Sequence, residues 1–189
     1  MKFDYVIGNP PYQEVDGGSG ASATPVYNKF IEETKTLNPT AMSFIIPAKW
    51  YSGGKGLDKF REQMLNDKRM AVLVDYPNSL DVFPNVDVAG GVCYFVWAKS
   101  HEGKCYYINY RDGVKTSEYR DLNEFSTFIR YPIAAEIVKK VRLKGEQTLD
   151  TIVSSRKPFG LATNVKPLKA GDIQLRFNGG IGPYKRRLI

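Results

Sequence analysis

Histidine and cysteine are scarce in this chain of 189 residues. His101 is the only histidine, and the two cysteines, Cys93 and Cys105, fall in strand-like apolar runs. A structural metal site needs several such ligands close together, so we predict no metal site. We interpret both cysteines as reduced structural residues rather than a disulfide. His101 lies in a polar turn, which indicates a surface position.

Long apolar runs are also missing. No segment approaches the roughly 18 apolar residues of a membrane span, and Asp4 interrupts the only candidate for an N-terminal leader. We therefore predict no membrane association and a cytoplasmic location. Apolar residues make up 42% of the chain and aromatic residues 13%, which is ample for a core. The length suits one domain, or one domain and part of another.

Basic residues are concentrated at the C-terminal end. Residues 1–138 carry 15 Lys or Arg against 17 Asp or Glu, whereas residues 139–189 carry 12 against 3. A near-neutral body with a basic extension is typical of a protein that binds nucleic acid. A solvated basic surface is the alternative. The predicted DNA-binding residues in this extension are Arg156, Lys157, Lys185, Arg186 and Arg187.

The most informative segment is at the N-terminal end. A short buried strand that stops at Gly8 is predicted by the apolar residues Phe3, Tyr5, Val6 and Ile7. The next four residues are Asn9-Pro10-Pro11-Tyr12. Active sites of open α/β sheets lie at the carboxyl ends of strands. The position of the tetrapeptide therefore makes it a candidate site, although the same residues also occur in ordinary turns.

The tetrapeptide suits a planar group that carries an amine. The Asn9 amide oxygen and the Pro10 carbonyl are neutral acceptors, and the two prolines stiffen the loop. These acceptors could take both N–H bonds of the amine while the ring of Tyr12 stacks on its plane. Such bonds draw the nitrogen toward tetrahedral geometry and free its lone pair for attack. Orientation and electrostatics would then replace a strong base.

Apolar runs alternate with helical stripes over the first half of the chain, which favours parallel strands joined by crossover helices. A polar loop over 48–56 is expected on the same rim as Asn9, where Lys49 and Trp50 could contact substrate. Core packing is the commoner use of such a tryptophan. The predicted elements are strands at 3–8, 41–47 and 70–76, helices from Pro25 and Leu57, an antiparallel hairpin of 90–99 with 104–110, a polar connector over 111–127 and a helix over 132–144.

At Asn9-Pro10-Pro11-Tyr12 the chain resembles the N6-adenine DNA methyltransferases of restriction–modification systems, whose catalytic motif follows a sheet strand. The resemblance covers roughly residues 1–110 by motif order. It implies that S-adenosylmethionine is the methyl donor, that a flipped-out adenine is the acceptor and that double-stranded DNA is the partner. By the same resemblance, Phe83 in Val82-Phe83-Pro84 lies on the opposite face of the base from Tyr12. A core position for Phe83 stays open.

The resemblance also has a gap. In that family the cofactor site is built by strands before the catalytic strand, whereas here Met1 begins at the catalytic strand itself. We therefore predict an α/β fold that is the second half of a Rossmann-like methyltransferase sheet, with the first half absent and the cofactor residues upstream of Met1. The predicted domains are a catalytic half-domain over 1–122, and a helical connector with the start of a basic DNA-recognition region over 123–189.

Several consequences follow from the missing half. We expect the chain to be inactive by itself and to need the N-terminal half of the domain in cis or in trans. The strand at 3–8 would be an exposed apolar edge, which invites self-association. Two other functions remain open. One is a fragment of an RNA or protein-glutamine methyltransferase, and the other is a non-catalytic DNA-binding fragment.

Overall fold

The computed structural model describes residues 2–14, 23–54 and 56–149, together with the backbone of two short strands nearer the C-terminus. The chain forms two compact units, Met1–Lys140 and Val141–Ile189. The catalytic half-domain over 1–122 and the recognition region over 123–189 stay predictions. Among the described helices, none is long and apolar enough to cross a membrane.

A mixed sheet of six strands organises the first unit, in the order β1-β2-β4-β3-β5-β6. Strands β1, β2, β3 and β5 run parallel to one another, and β4 and β6 run antiparallel to them. The α/β class predicted from the sequence is confirmed. The elements are β1 (Tyr5–Gly8), α1 (Tyr27–Thr36), β2 (Ala41–Pro47), α2 (Asp58–Asn66), β3 (Met70–Tyr76), β4 (Val92–Ala98), β5 (Cys105–Arg111), β6 (Val114–Arg120) and α3 (Pro132–Arg142), with short 3-10 helices at Ala48–Ser52 and Ser79–Asp81.

One face of the sheet carries the core. Alternate strand residues such as Met42, Leu73 and Phe95 are fully buried on that face, in a cluster that also contains Ile31 of α1 and Phe60 of α2. The side-chain period of two along each strand explains this segregation. Helices α1 and α2 therefore pack on this face of the sheet.

The opposite face of the sheet is rich in tyrosine. The rings of Tyr76 on β3 and Tyr110 on β5 stack with centroids 4.8 Å apart, and Tyr94 on β4 lies 6.4 Å from Tyr76. Tyr5 and Ile7 of β1 are 74% and 84% exposed. Strand β1 is an edge strand of the described sheet, and its exposed side chains show that it is not the buried strand predicted from the sequence.

The predicted hairpin of 90–99 with 104–110 is wrong. Strand β4 instead lies between β2 and β3 and is antiparallel to both. It has apolar residues on both faces, including buried Val92 and Phe95, which suits a central position. Strand β5 pairs in parallel with β3 and forms its hairpin with β6. The predicted connector over 111–127 is thus also wrong over Val114–Arg120.

The last helix and the C-terminal unit complete the fold. Helix α3 begins at Pro132 as predicted and ends at Arg142, and its Ile133 and Ile137 are 73% and 55% exposed. In the second unit, the described backbone includes β7 (Ile173–Leu175) and β8 (Tyr184–Arg186), which pair antiparallel.

Candidate functional site

The carboxyl ends of β1, β2 and β3 meet at one edge of the sheet, because the three strands are parallel. This edge carries Asn9 after β1, the 3-10 helix at Ala48–Ser52 after β2 and the segment 77–91 after β3. Ligand sites of open α/β sheets lie at such edges. The structure thus brings together three of the segments that the sequence singled out.

The backbone before Asn9 approaches β2 very closely. A Cβ added to Gly8 would lie 2.9 Å from Cε1 of Phe44, so this position accepts little more than glycine unless the ring moves. Pro10 is buried, whereas Asn9 and Pro11 are exposed. Because Asn9 is exposed, its amide oxygen is accessible to a donor on a bound molecule.

Tyr12 lies at the boundary between this loop and the core. The Tyr12 carbonyl accepts a hydrogen bond from the Val26 amide at 3.3 Å, and the Glu14 amide donates to the Thr24 carbonyl at 3.0 Å. These bonds fix the segment after the motif to the start of α1. The Tyr12 hydroxyl is buried and has no hydrogen-bond partner among the described residues. Burial, together with nearby Cys93, raises the pKa of Tyr12, which therefore stays neutral.

A cavity of about 630 Å³ opens beside Tyr12. This volume falls within the range of small-molecule sites, about 300–1,000 Å³. Among the described lining residues, Lys49 is the only cation and Asp87 the only anion. The lining comprises Tyr12, Gln13, Ala23, Pro25, Tyr27, Pro47, Lys49, Ser52, Gly53, Gly54, Leu57, Val86, Asp87, Val88 and Ala89. A largely apolar cavity with an aromatic side chain and few charges suits a planar heterocycle.

Two of the predicted substrate-binding residues, Lys49 and Trp50, are neighbours in sequence but differ in exposure. Lys49 is exposed and lines the cavity. Trp50 is fully buried in the core, where its indole N–H donates to the Cys93 Sγ at 3.4 Å. The structure thus corrects the interpretation of Trp50 as a substrate contact, because a side chain with no exposed surface packs behind the site. Cys93 and Cys105 are both buried and free of a disulfide.

Phe83 lies on the segment that follows β3, within a tight turn. Its amide donates to the Ser79 carbonyl at 2.8 Å, and its carbonyl accepts from the Val86 amide at 3.0 Å. The ring is half-buried and does not line the cavity with Tyr12. The structure therefore does not bring Tyr12 and Phe83 together across the cavity, and the sandwich of a base between them stays a prediction.

A buried polar network underlies the site, and sequence reasoning missed it. Asp75 of β3 has no exposed surface, and its carboxylate accepts bonds from Arg130, Asn109 and Tyr107. Burial by itself lowers the pKa of Arg130, but the hydrogen bonds and charge of Asp75 outweigh this and raise it. Arg130 thus remains charged. The signal in the sequence was slight, namely an aspartate in the apolar strand 70–76.

The predicted DNA-binding residues are largely outside the described part of the chain. Lys185 and Arg186 belong to β8, and only their backbone is described. Arg156, Lys157 and Arg187 lie outside the described residues. These assignments stay predictions. The described residues contain no cluster of three or more potential metal ligands.

The described residues do not form a site for the whole of S-adenosylmethionine, the donor that the resemblance implies. Tyr5 and Ile7 of β1 place exposed apolar side chains on the sheet face opposite the core. The cavity beside Tyr12 has one described carboxylate, Asp87, and its described glycines Gly53 and Gly54 follow β2 rather than precede β1. The chemistry below is accordingly limited to how this chain holds an acceptor.

Comparison with known proteins agrees with the motif. Residues 1–83 match the family described as Eco57I restriction-modification methylase. An uncharacterized adenine-specific methylase of Mycoplasma pneumoniae is 35% identical over 107 residues, which covers 55% of this chain and 25% of that protein. The chain thus spans about a quarter of the length of that relative. The resemblance to adenine methyltransferases of restriction–modification systems, inferred from Asn9 to Tyr12, is confirmed over the matched residues.

Solved structures with some likeness come from type I restriction–modification systems. The methyltransferase subunit from Streptococcus thermophilus is 15% identical, with 78% of this chain and 33% of that chain covered and a TM-score of 0.42. A modification subunit of a putative type I restriction enzyme from Vibrio vulnificus is 10% identical, with 79% and 32% covered and a TM-score of 0.40. Both TM-scores are below 0.5, so neither likeness carries an inference about this chain.

Proposed function

We propose that the segment from Asn9 to Tyr12 and the adjoining cavity bind a flipped-out adenine of double-stranded DNA. The chain would be the acceptor-binding part of a methyltransferase that modifies the adenine N6 amine, with S-adenosylmethionine as donor, in a restriction–modification system. The observation that carries the proposal is the position of Tyr12, which lines a cavity large enough for a base three residues after the exposed acceptor Asn9.

The proposed chemistry needs two acceptors and no strong base. The Asn9 amide oxygen and the Pro10 carbonyl would each accept one N–H of the adenine amine. Each such hydrogen bond contributes about 0.5–1.5 kcal/mol net. Their combined geometry would direct the nitrogen lone pair toward the methyl donor, and the positive charge that develops on nitrogen would be met by two neutral dipoles. The donor would be held by residues other than those described.

The cavity would recognise the rest of the nucleotide. The ring of Tyr12 would stack on the base, and base–aromatic stacking contributes about 1–3 kcal/mol by alanine substitution. That energy would offset part of the cost of unstacking the base from the duplex. Lys49 would contact the phosphate of the target nucleotide, because it is the only described cation that lines the cavity. Phe83 would reach the other face of the base only after a change in its turn.

Partners follow from the same proposal. The basic residues Arg156, Lys157, Lys185, Arg186 and Arg187 would contact the DNA backbone, so that replacing the last three with alanine weakens binding and flattens its salt dependence. The exposed edge of β1 would pair with the N-terminal half of the methyltransferase domain, in cis or in trans. Without that half, the same edge would favour self-association. The compartment would be the cytoplasm.

Methyl transfer tests the proposal. The chain would be combined with the N-terminal half of the domain, and labelled methyl from S-adenosylmethionine would be followed into duplex DNA, with the product nucleoside identified by mass spectrometry. We expect N6-methyladenine with the wild-type chain and none with Asn9→Ala. Asn123→Ala is the matched control, since Asn123 bonds Asn66 and does not line the cavity. Label in RNA or in protein glutamine, or equal turnover in Asn9→Ala, would contradict the proposal.

A further inference from the structure

One wall of the cavity is a loop that depends on a few anchoring bonds. Val86, Asp87, Val88 and Ala89 line the cavity, and they belong to the long segment between β3 and β4. Ser79, which is 1% exposed, holds this segment from inside. Its hydroxyl donates to the Val86 carbonyl at 3.0 Å and accepts from the Val88 amide at 2.7 Å. The wall is therefore tied at its start.

Arg130 ties the other end of the same wall. Its Nη1 donates to the Gly90 carbonyl at 2.8 Å, directly after Ala89. Its Nε and Nη2 donate to the two oxygens of Asp75 at 2.8 and 2.6 Å. A planar guanidinium can make these three bonds at once, whereas a lysine is a point charge that cannot span them. The wall is thus fixed to the end of β3 through one side chain.

Asp75 is a rigid anchor for that side chain. It has no exposed surface, and it also accepts a hydrogen bond from the side-chain amide Nδ2 of Asn109 at 2.9 Å. The Tyr107 hydroxyl lies 3.0 Å from the Asp75 carboxylate and 2.7 Å from the Arg130 carbonyl, so its proton can serve either acceptor. A buried charge that is fully paired holds its partners in one geometry. Arg130 is therefore fixed at both its backbone and its side chain.

The hydrogen bond from Arg130 to Gly90 also affects the position of Lys49, the cation that lines the cavity. A Cβ built on Gly90 would lie 3.4 Å from Cγ of Lys49, so the Gly90 backbone lies against the Lys49 stem. The neighbouring Gly91 carbonyl accepts from the Ala48 amide at 3.0 Å, next to Lys49 in sequence. A displacement of Gly90 would therefore move both the wall and Lys49.

We propose that Arg130 is a positioning residue of the acceptor site, which fixes the 86–90 wall and the Lys49 side chain through Gly90. It acts through these residues and does not touch the bound base. The effect on base affinity rests on the function proposed above. The effect on the wall itself rests only on the contacts of Arg130, so the two can be measured separately.

Hydrogen exchange tests directly whether Arg130 fixes the 86–90 wall. In Arg130→Lys, the Val88 and Gly91 amides should exchange about tenfold faster relative to the Phe95 amide of β4. A decrease of about 1.4 kcal/mol in the free energy of local opening corresponds to a factor of ten in the exchange rate. Arg69→Lys is the matched control. Arg69 also makes a two-pronged ion pair, with Asp67, at 2.7 and 3.1 Å, and it does not line the cavity. Arg69→Lys should leave the exchange rates of the Val88 and Gly91 amides relative to the Phe95 amide unchanged.

The wild-type protein supplies a second measurement in case the Arg130→Lys protein does not fold. If the 86–90 wall is fixed, the exchange rates of the Val88 and Gly91 amides should lie within about tenfold of the rate of the Phe95 amide. The proposal would be overturned if the Val88 and Gly91 amides of the wild type exchanged a thousandfold faster than the Phe95 amide. It would also be overturned if the ratio of these exchange rates were the same in Arg130→Lys as in Arg69→Lys.

Base affinity is read in the same variants with 2′-deoxyadenosine 5′-monophosphate as probe. Its dissociation constant should rise about tenfold in Arg130→Lys and stay constant in Arg69→Lys, because small misplacements of a site are costly. Unchanged affinity with a loosened wall would overturn the positioning role. If the wild type binds no nucleotide, the acceptor function fails, and the exchange ratios alone decide whether Arg130 fixes the wall.

Discussion

Replacing Tyr12 separates the ring from the hydroxyl at the centre of the proposed site. The Tyr12 ring lines the cavity, and the hydroxyl is buried without a hydrogen-bond partner among the described residues. Tyr12→Phe removes only the unpartnered hydroxyl. Tyr12→Ala removes the stacking surface as well. The two variants should therefore differ sharply in base binding.

The magnitudes follow from the contacts. Loss of one base–aromatic stack costs about 1–3 kcal/mol, which corresponds to a dissociation constant about 5- to 150-fold higher in Tyr12→Ala. A hydroxyl that makes no hydrogen bond contributes little, and its removal also relieves the cost of burying an unpaired polar group. Tyr12→Phe should therefore bind within about threefold of the wild type and be no less stable.

The assay is titration with 2′-deoxyadenosine 5′-monophosphate followed by ligand-observed NMR. Tyr119→Ala provides the control, since Tyr119 is 68% exposed on β6 and does not line the cavity. Urea denaturation of each variant separates altered binding from altered folding. Equal affinity in Tyr12→Ala and Tyr119→Ala would refute the stacking role, and a large loss in Tyr12→Phe would show that the hydroxyl, not the ring, recognises the base.

Three further predictions concern the surrounding structure. Gly91→Ala should destabilise the protein by at least about 2 kcal/mol in urea denaturation, because Gly91 has a φ of 80° and its Cβ would lie 2.1 Å from the Tyr76 carbonyl oxygen. Burial alone would raise the pKa of Asp67, but hydrogen bonds, the strongest from Arg69, lower it. The stability that this carboxylate contributes is therefore present above about pH 4 and lost at lower pH, so the urea midpoints of wild type and Asp67→Asn should converge between pH 5 and pH 2. Lys49→Gln should weaken binding of the nucleotide about two- to fivefold and leave that of 2′-deoxyadenosine, which lacks the phosphate, unchanged in the same titration.

Local patterns predicted much of the sheet. The apolar runs located β1, β2 and β3, and the helix between β1 and β2 required a parallel pair, which the structure contains. What failed was the pairing of β4, because its partners β2 and β3 are set by burial on both faces and not by the nearest turn. The actual hairpin has a local signal, Asp112-Gly113, where φ is 52° and 76°. Such a pair is a strong indicator of a two-residue hairpin turn.

The candidate site was predictable where it is local. The tetrapeptide at Asn9 combines strand end, acceptors and aromatic ring within four residues. Trp50 was ambiguous because loop sequence alone cannot tell an exposed ring from a buried one, and the structure places it in the core. The Asp75–Arg130 ion pair joins residues 55 positions apart. No spacing rule links such a pair, since the fold alone brings the two side chains together.

The exocyclic amine is the central feature of the account, and one binding comparison tests it. The dissociation constants of 2′-deoxyadenosine and of purine 2′-deoxyriboside, which lacks only the amine, would be measured for wild type and Asn9→Ala. Two hydrogen bonds at about 0.5–1.5 kcal/mol each predict that wild type favours the amine by roughly 5- to 150-fold. Asn9→Ala should lose about half of that preference in free energy. Equal binding of the two nucleosides by wild type would contradict the claim that Asn9 and Pro10 hold the amine.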